Sequence, residues 1–219
     1  DPFMRAILID GDPDAALDEI LYFDREAIEL ARKDTQEPVE VIHLSKVPGG
    51  TPDGEVLVWE RPLVNASYYI GADTADGKGE ALATLGDYGG VDRNSAVIYK
   101  WPEREQVAAI YGRQNENDYA RSLNEWGHYY NNALLAVERN RRATLIALIG
   151  LYYPNLYAVR RPVDLHVSQL TGPNTQMRQL EYGWNTDSKS RPVLLSEFRE
   201  ALGAHQLTIR DKSAVREFL

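Results

Sequence analysis

Apolar and polar residues follow distinct rhythms along this chain, and the rhythms mark out most of its elements. In residues 14–33, Leu17, Ile20, Leu21, Ile28 and Leu30 recur at helical spacing with charges between them, which predicts a helix. Val39-Glu-Val-Ile-His43 and Glu55-Val-Leu-Val-Trp59 are short strand-like runs flanking the turn-rich Val47-Pro-Gly-Gly-Thr-Pro-Asp-Gly54, so a hairpin is expected there. Tyr68-Tyr-Ile-Gly-Ala-Asp73, Ser95-Ala-Val-Ile-Tyr-Lys100 and Gln106-Val-Ala-Ala-Ile-Tyr111 read as three more strands, with residues 74–91 as a Gly-, Asp- and Ala-rich loop. Tyr119, Leu123, Trp126 and Tyr130 predict a helix over residues 117–132. Leu134-Leu-Ala-Val137 reads as a buried strand ending at Glu138, and residues 142–151 as the helix after it, closed by the turn at Pro154-Asn155. Residues 157–184 form a polar, strand-rich stretch. Residues 190–202 read as a helix, Leu207-Thr-Ile-Arg210 as a short strand, and a last helix begins at Ser213. This order implies a mixed α/β sheet rather than a doubly wound one.

Composition narrows the classes. The 219 residues suit one domain, or one domain with an appendage. With no cysteine, the chain has no disulfide framework, thiolate metal site or cysteine nucleophile. Its longest nearly unbroken apolar run, residues 143–153, has eleven residues, against the about 18 or more of a membrane span. No basic-then-apolar secretory leader is visible, and Asp1-Pro-Phe3 ahead of Met4 reads as a cloning remnant.

A formal net charge of -9 argues at first against a nucleic-acid partner. Its location changes that inference. Residues 1–40 hold twelve acids and four bases, a net of -8, which leaves the rest of the chain near neutrality.

Two carboxylates end strand candidates, Asp73 and Glu138. An acid at the carboxyl end of a buried strand is held by the sheet while its head faces a crevice. If the two strands are neighbours, the converging negative charges call for a proton or a divalent cation, the arrangement that two-metal phosphodiester chemistry uses. The same residues also serve as plain strand caps, and the pattern alone leaves both readings open. The loop Asp73-Thr-Ala-Asp-Gly-Lys-Gly79 suits either a phosphate-approaching backbone with Lys78 as counter-charge or an ordinary turn. It is not a P-loop, and no P-loop occurs elsewhere in the chain. After Glu138, every charged residue up to Val163 is an arginine: Arg139, Arg141, Arg142, Arg160 and Arg161. Such a cluster suits a polyanion, or a solvated helix face. The four histidines (His43, His128, His166 and His205) are scattered, without metal-ligand spacing.

Read together, Tyr69-Ile-Gly-Ala-Asp-Thr-Ala-Asp-Gly-Lys-Gly79, Asp92-Arg-Asn-Ser-Ala-Val97, Tyr129-Tyr-Asn-Asn-Ala-Leu-Leu-Ala-Val-Glu-Arg-Asn140, Tyr153-Pro-Asn-Leu-Tyr157 and Gly183-Trp-Asn-Thr186 resemble the nuclease domain of the tailed-phage terminase large subunit. The resemblance runs from about Glu55 to the end of the chain. It implies a ribonuclease-H-like fold, an α/β mixed central sheet flanked by helices with an N-terminal helix and hairpin as lead-in. Residues 4–66 would be that lead-in, joining a packaging ATPase domain, and residues 67–219 the nuclease domain.

The implied activity is metal-dependent endonucleolytic cleavage of concatemeric double-stranded viral DNA during packaging, with two Mg²⁺ or Mn²⁺ ions. Asp73 matches the first-strand metal ligand, Glu138 the fourth-strand ligand and Asp92 a further carboxylate, although the stretch from Glu80 to Val91 is a longer insertion than the family carries. Lys78 matches a basic loop residue touching DNA backbone, with Arg139, Arg141 and Arg142 beside it. The implied partners are double-stranded DNA, the ATPase domain, the portal and the small terminase subunit. The implied setting is the host cytoplasm, without a membrane, the isolated domain being monomeric. The family's third ligand lies in a His-Asp-Asp motif, and no histidine here is followed by aspartate. The resemblance therefore places that ligand beyond Leu219. One rival keeps the fold but makes the chain an inert DNA- or portal-docking module. A second, an actin-like phosphate-binding fold, needs a further Gly-rich loop that the sequence lacks. Junction resolvases and transposases share the metal logic but lack the Val-Glu-Arg-Asn and Gly-Trp-x-Thr context.

Overall fold

The computed structural model describes residues 22–44, 54–75, 93–139, 142–162 and 178–218. Residues 14–21 of the first expected helix, the loop at 76–92 and His166 lie outside them. In chain order the elements are α1 (Arg25–Asp34), β1 (Glu40–Leu44), β2 (Gly54–Val58), β3 (Ser67–Asp73), β4 (Asn94–Trp101), β5 (Glu105–Gly112), α2 (Glu116–Tyr129), β6 (Leu134–Val137), α3 (Arg142–Gly150), β7 (Ala158–Pro162), β8 (Arg178–Tyr182), α4 (Ser190–Gly203) and α5 (Lys212–Arg216).

Among the described residues, six strands form one mixed sheet in the order β1-β2-β5-β4-β3-β6. All neighbours are antiparallel except β3 and β6, which run parallel. Antiparallel neighbours need only tight turns, whereas a parallel partner needs a long crossover, here supplied by β4, β5 and α2. The β1-β2 hairpin anticipated ahead of the main domain pairs with β5, from Gly54 opposite Gly112 to Val58 opposite Ala108, and so widens this sheet. β7 and β8 pair as a separate two-stranded ribbon.

The pleat of the strands sorts their side chains into two faces. Tyr68, Ile70 and Ala72 of β3 share one face with Ala96 and Ile98 of β4, Ala108 and Ile110 of β5, Val56 and Val58 of β2, and Leu135 and Val137 of β6. Tyr119, Ala120 and Leu123 of α2, with Leu145 and Leu148 of α3, close over that face. Asn115 caps α2, its side chain accepting from the Asp118 N–H at 3.0 Å. Gly127 near the end of α2 leaves room for the Tyr153 ring, whose hydroxyl donates to the Ala133 carbonyl at 2.6 Å.

On the opposite face, the segment after α4 packs against β4 and β5. A smaller core joins Ala27, Ile28 and Ala31 of α1 to Leu202, Ile209 and Val215. The strand expected at 207–210 is a single bridge, Thr208 to Glu105, rather than a strand. The reason is a side chain: Gln106 Oε1 accepts the N–H groups of Arg210 (2.8 Å) and Asp211 (3.0 Å), replacing a ladder that sequence periodicity would have required. Asp211, buried, then accepts the Tyr111 hydroxyl at 2.7 Å and caps α5 through the Ser213 N–H.

Burial first, and then the Asp211 charge, raise the Tyr99 hydroxyl pKa to about 12, and burial raises Tyr153 likewise to about 12. An unfolded tyrosine ionises near about 10. Above that pH the unfolded chain loses protons that the folded chain keeps, so stability falls as pH rises from about 10 towards about 12. Denaturant midpoints measured across that range, with tyrosinate absorbance as a second probe, should decline together. A constant midpoint would contradict these two environments.

Candidate active site

β3 and β6 set the geometry. Their parallel register runs Tyr69 with Leu134 through Ala72 with Val137, and the Glu138 N–H continues it by donating to the Ala72 carbonyl at 2.8 Å. Asp73 and Glu138 are therefore the next residues of adjoining strands, both past the carboxyl end, with backbones about 4.8 Å apart by ordinary strand spacing. The face parity is the same for both: Tyr69, Gly71 and Asp73 alternate with buried positions on β3, and Leu134, Ala136 and Glu138 do so on β6. Asp73 is exposed and Glu138 half-buried on the face that α2 and α3 do not cover.

The end of each strand is fixed from outside. Opposite Asp73 lies Ser95 of β4, whose carbonyl accepts the Tyr119 hydroxyl at 2.7 Å. Burial, and then the negative charge of Asp73, hold that hydroxyl far above its usual ionisation range, so it stays a donor. Beyond Asp73, the Ala75 N–H donates to buried Asn94.

Glu138 is clamped on its other side by Trp184. The Trp184 N–H donates to the Val137 carbonyl at 2.8 Å, and the Arg139 N–H to the Trp184 carbonyl at 2.7 Å. This approach depends on Gly183. Its φ is +81°, and a Cβ there would stand 2.8 Å from the Val137 oxygen and 3.1 Å from the Arg139 Cβ. The Gly-Trp pair seen in the sequence is thus the brace beside Glu138.

Of the arginines after Glu138, Arg139 forms an ion pair with Glu181 of β8 at 2.6 Å, tying the ribbon to the end of β6. Arg142 is exposed at the first turn of α3. Lys78, Asp92 and Arg141 lie outside the described residues. Three site features escaped the sequence reading: the tether at Asn94, the Glu181 partner of Arg139 and the clamping function of Gly183. Asn94 and Gly183 lie inside the quoted motifs, but a motif does not say which contact a residue makes.

Among the described residues, no group of three or more Asp, Glu, His or Cys side chains is placed to hold a metal ion. Two carboxylates on adjacent strand ends nevertheless suit one hard divalent cation, because Mg²⁺ binds through one or two carboxylates and keeps several waters.

The sequence matches no protein-family model and no curated protein. The fold does match solved structures. It is similar to the large terminase nuclease from thermophilic phage G20c, with a TM-score of 0.52 and 12% identity over 88% of this chain and 79% of that one. It is similar to the same nuclease with bound magnesium, with a TM-score of 0.55 and 13% identity over 87% and 78%. The large terminase nuclease domain of Thermus phage P74-26 gives a TM-score of 0.50 and 14% identity over 87% and 76%. At these identities the likeness is one of fold, the ribonuclease-H-like mixed α/β sheet that the sequence motifs implied.

Gly183→Ala should destabilise the protein by about 2 kcal/mol or more, from the left-handed backbone and the overpacked contact together. Equilibrium unfolding in denaturant measures this, and an unchanged midpoint would show that Gly183 does not brace the strand end.

Proposed function

We propose that this chain is the metal-dependent endonuclease domain of a phage terminase large subunit, cutting concatemeric double-stranded DNA during genome packaging. The observation that carries this reading is the pair Asp73 and Glu138, side by side at the ends of the parallel strands β3 and β6, in a sheet whose fold is shared with large terminase nucleases. The reaction is hydrolysis of a phosphodiester by water attacking in line.

Asp73 and Glu138 would hold Mg²⁺ or Mn²⁺, with Asp92 contributing a further carboxylate for a second ion. Bound divalent ions supply Lewis acidity and a water of lowered pKa. The G20c nuclease, crystallised with bound magnesium and cobalt, supports divalent chemistry in this fold. The protein's own contribution is rigid presentation. Glu138 is fixed by backbone bonds on both flanks, and Asp73 stands on a strand paired along its whole length.

DNA would be gripped through phosphates by Arg142, with Lys78 and Arg141, and only secondarily by Arg139, whose guanidinium already serves Glu181. Phosphate contacts position without reading sequence, so cleavage preference should be weak. In the full machine, the packaging ATPase domain, the portal and the small terminase subunit would be partners, in the host cytoplasm. No described helix is long and apolar enough to cross a membrane.

Asp73→Asn and Glu138→Gln should each abolish Mn²⁺-dependent nicking of supercoiled plasmid while leaving the unfolding midpoint near that of wild type. Undiminished nicking by either variant would sink the assignment. The lack of a three-acid cluster among the described residues favours one second reading, an inert docking module of the same fold. Titration calorimetry separates them: absent Mg²⁺ binding together with absent nicking selects the docking module.

A further inference from the structure

Resting on the nuclease reading above, we propose that Asn94 is a positioning residue that fixes the metal-binding pose of Asp73 without touching the metal or DNA. Asn94 opens β4 and is only 5% exposed. Its Oδ1 accepts the Ala75 N–H at 2.9 Å, two residues past Asp73, and its Nδ2 donates to the Gln114 carbonyl at 2.6 Å. One side-chain amide thus joins the exit of β3 to the junction between β5 and α2.

The anchorage continues inward. The Gln114 side chain donates to Ser122 Oγ at 3.0 Å, and Asn115 next to it caps α2. α2 is seated in the main core by Tyr119, Ala120 and Leu123. Tyr119 returns to the same place by donating to the carbonyl of Ser95, the partner of Asp73 in register. Asp73 is therefore held, just past its strand end and along its β4 side, by bonds that lead to α2 in the main core, although its own head is exposed.

The chemistry of the amide suits this task. An asparagine presents one acceptor and two donors in a fixed plane, and this position needs an acceptor for a backbone N–H and a donor for a backbone carbonyl together. Aspartate keeps the first and loses the second. Alanine loses both and leaves two part-buried backbone groups without this partner. A residue that only started a strand would affect stability. One that aims Asp73 must also affect cation affinity, because the groups behind a ligand set its orientation.

The test is Asn94→Ala in the whole chain, with Mg²⁺ affinity from titration calorimetry, amide exchange at Ala75 and Mn²⁺-dependent nicking. Expected are loss of protection at Ala75, a cation affinity weakened about 10- to 100-fold, and a rate at saturating cation within about threefold of wild type. Unchanged affinity alongside lost protection would remove the positioning role while leaving the nuclease reading intact. A wild-type chain that binds no divalent cation and nicks no DNA would remove the nuclease reading itself. If Asn94→Ala does not fold, the wild type decides: coupling is reciprocal, so saturating Mg²⁺ must slow exchange at Ala75. An unaltered rate there would overturn the proposal.

Discussion

The parallel pairing of β3 with β6 is the constraint on which the rest of this structure depends. Every other adjacent strand pair in the six-stranded sheet is antiparallel, and antiparallel ladders set residues from opposite chain directions against each other. Only a parallel pair brings two carboxyl ends to one edge with the same face parity, and Asp73 and Glu138 occupy those two positions. The requirement falls on a short strand: Leu134–Val137 has four residues and few ladder bonds with which to resist displacement.

The surroundings of β6 are organised to resist for it. Its apolar face is locked by Leu135 and Val137 in the main core. Its outer edge, which would otherwise be open, is closed by two short backbone exchanges: Tyr157 and Asn155 around Leu135, and Trp184 around Val137 and Arg139. Gly183 permits the second of these because no side chain with a Cβ fits between Val137 and Arg139. The ribbon β7-β8 is then a consequence. It delivers Gly183 and Trp184 to the strand end, and the Arg139–Glu181 ion pair holds it in place. That pair is partly shielded, at 20% and 33% side-chain exposure.

Apolar, β-branched and aromatic runs bounded by turn residues made β2 to β6 legible, because each strand lays a face against a continuous core and β5 is buried on both, and the three- and four-residue recurrence around Tyr119 and Leu123 marked α2. The carboxylates Asp73 and Glu138 were legible as strand-end acids, yet their adjacency was not. Adjacency depends on β6 crossing past β4 and β5 to lie beside β3, and no local pattern encodes a sheet order. The segment at 207–210 misled because apolar alternation looks the same whether the backbone partner is a strand or, as here, the side chain of Gln106. Asn94 was invisible for a related reason: its two partners lie 19 and 20 residues away along the chain.

Three described acids of the chain's acidic front also find a physical place. Glu37 pairs with Lys212, Glu40 with Arg61 at 2.9 Å, and Asp34 lies 3.3 Å from His205, so several of these acids sit against bases of the body. Such exposed pairs add little stability. Their effect is on the electrostatic field. β1, which carries Glu40, stands four strand spacings from β3, about 19 Å. That is more than twice the screening length of about 8 Å at physiological ionic strength. A polyanion approaching Asp73 and Glu138 would therefore feel the local carboxylates, any cation they hold and Arg142 far more than it feels Glu40. The net charge of -9 describes the whole chain, but the potential at the end of β3 and β6 is set by what lies within a screening length of it.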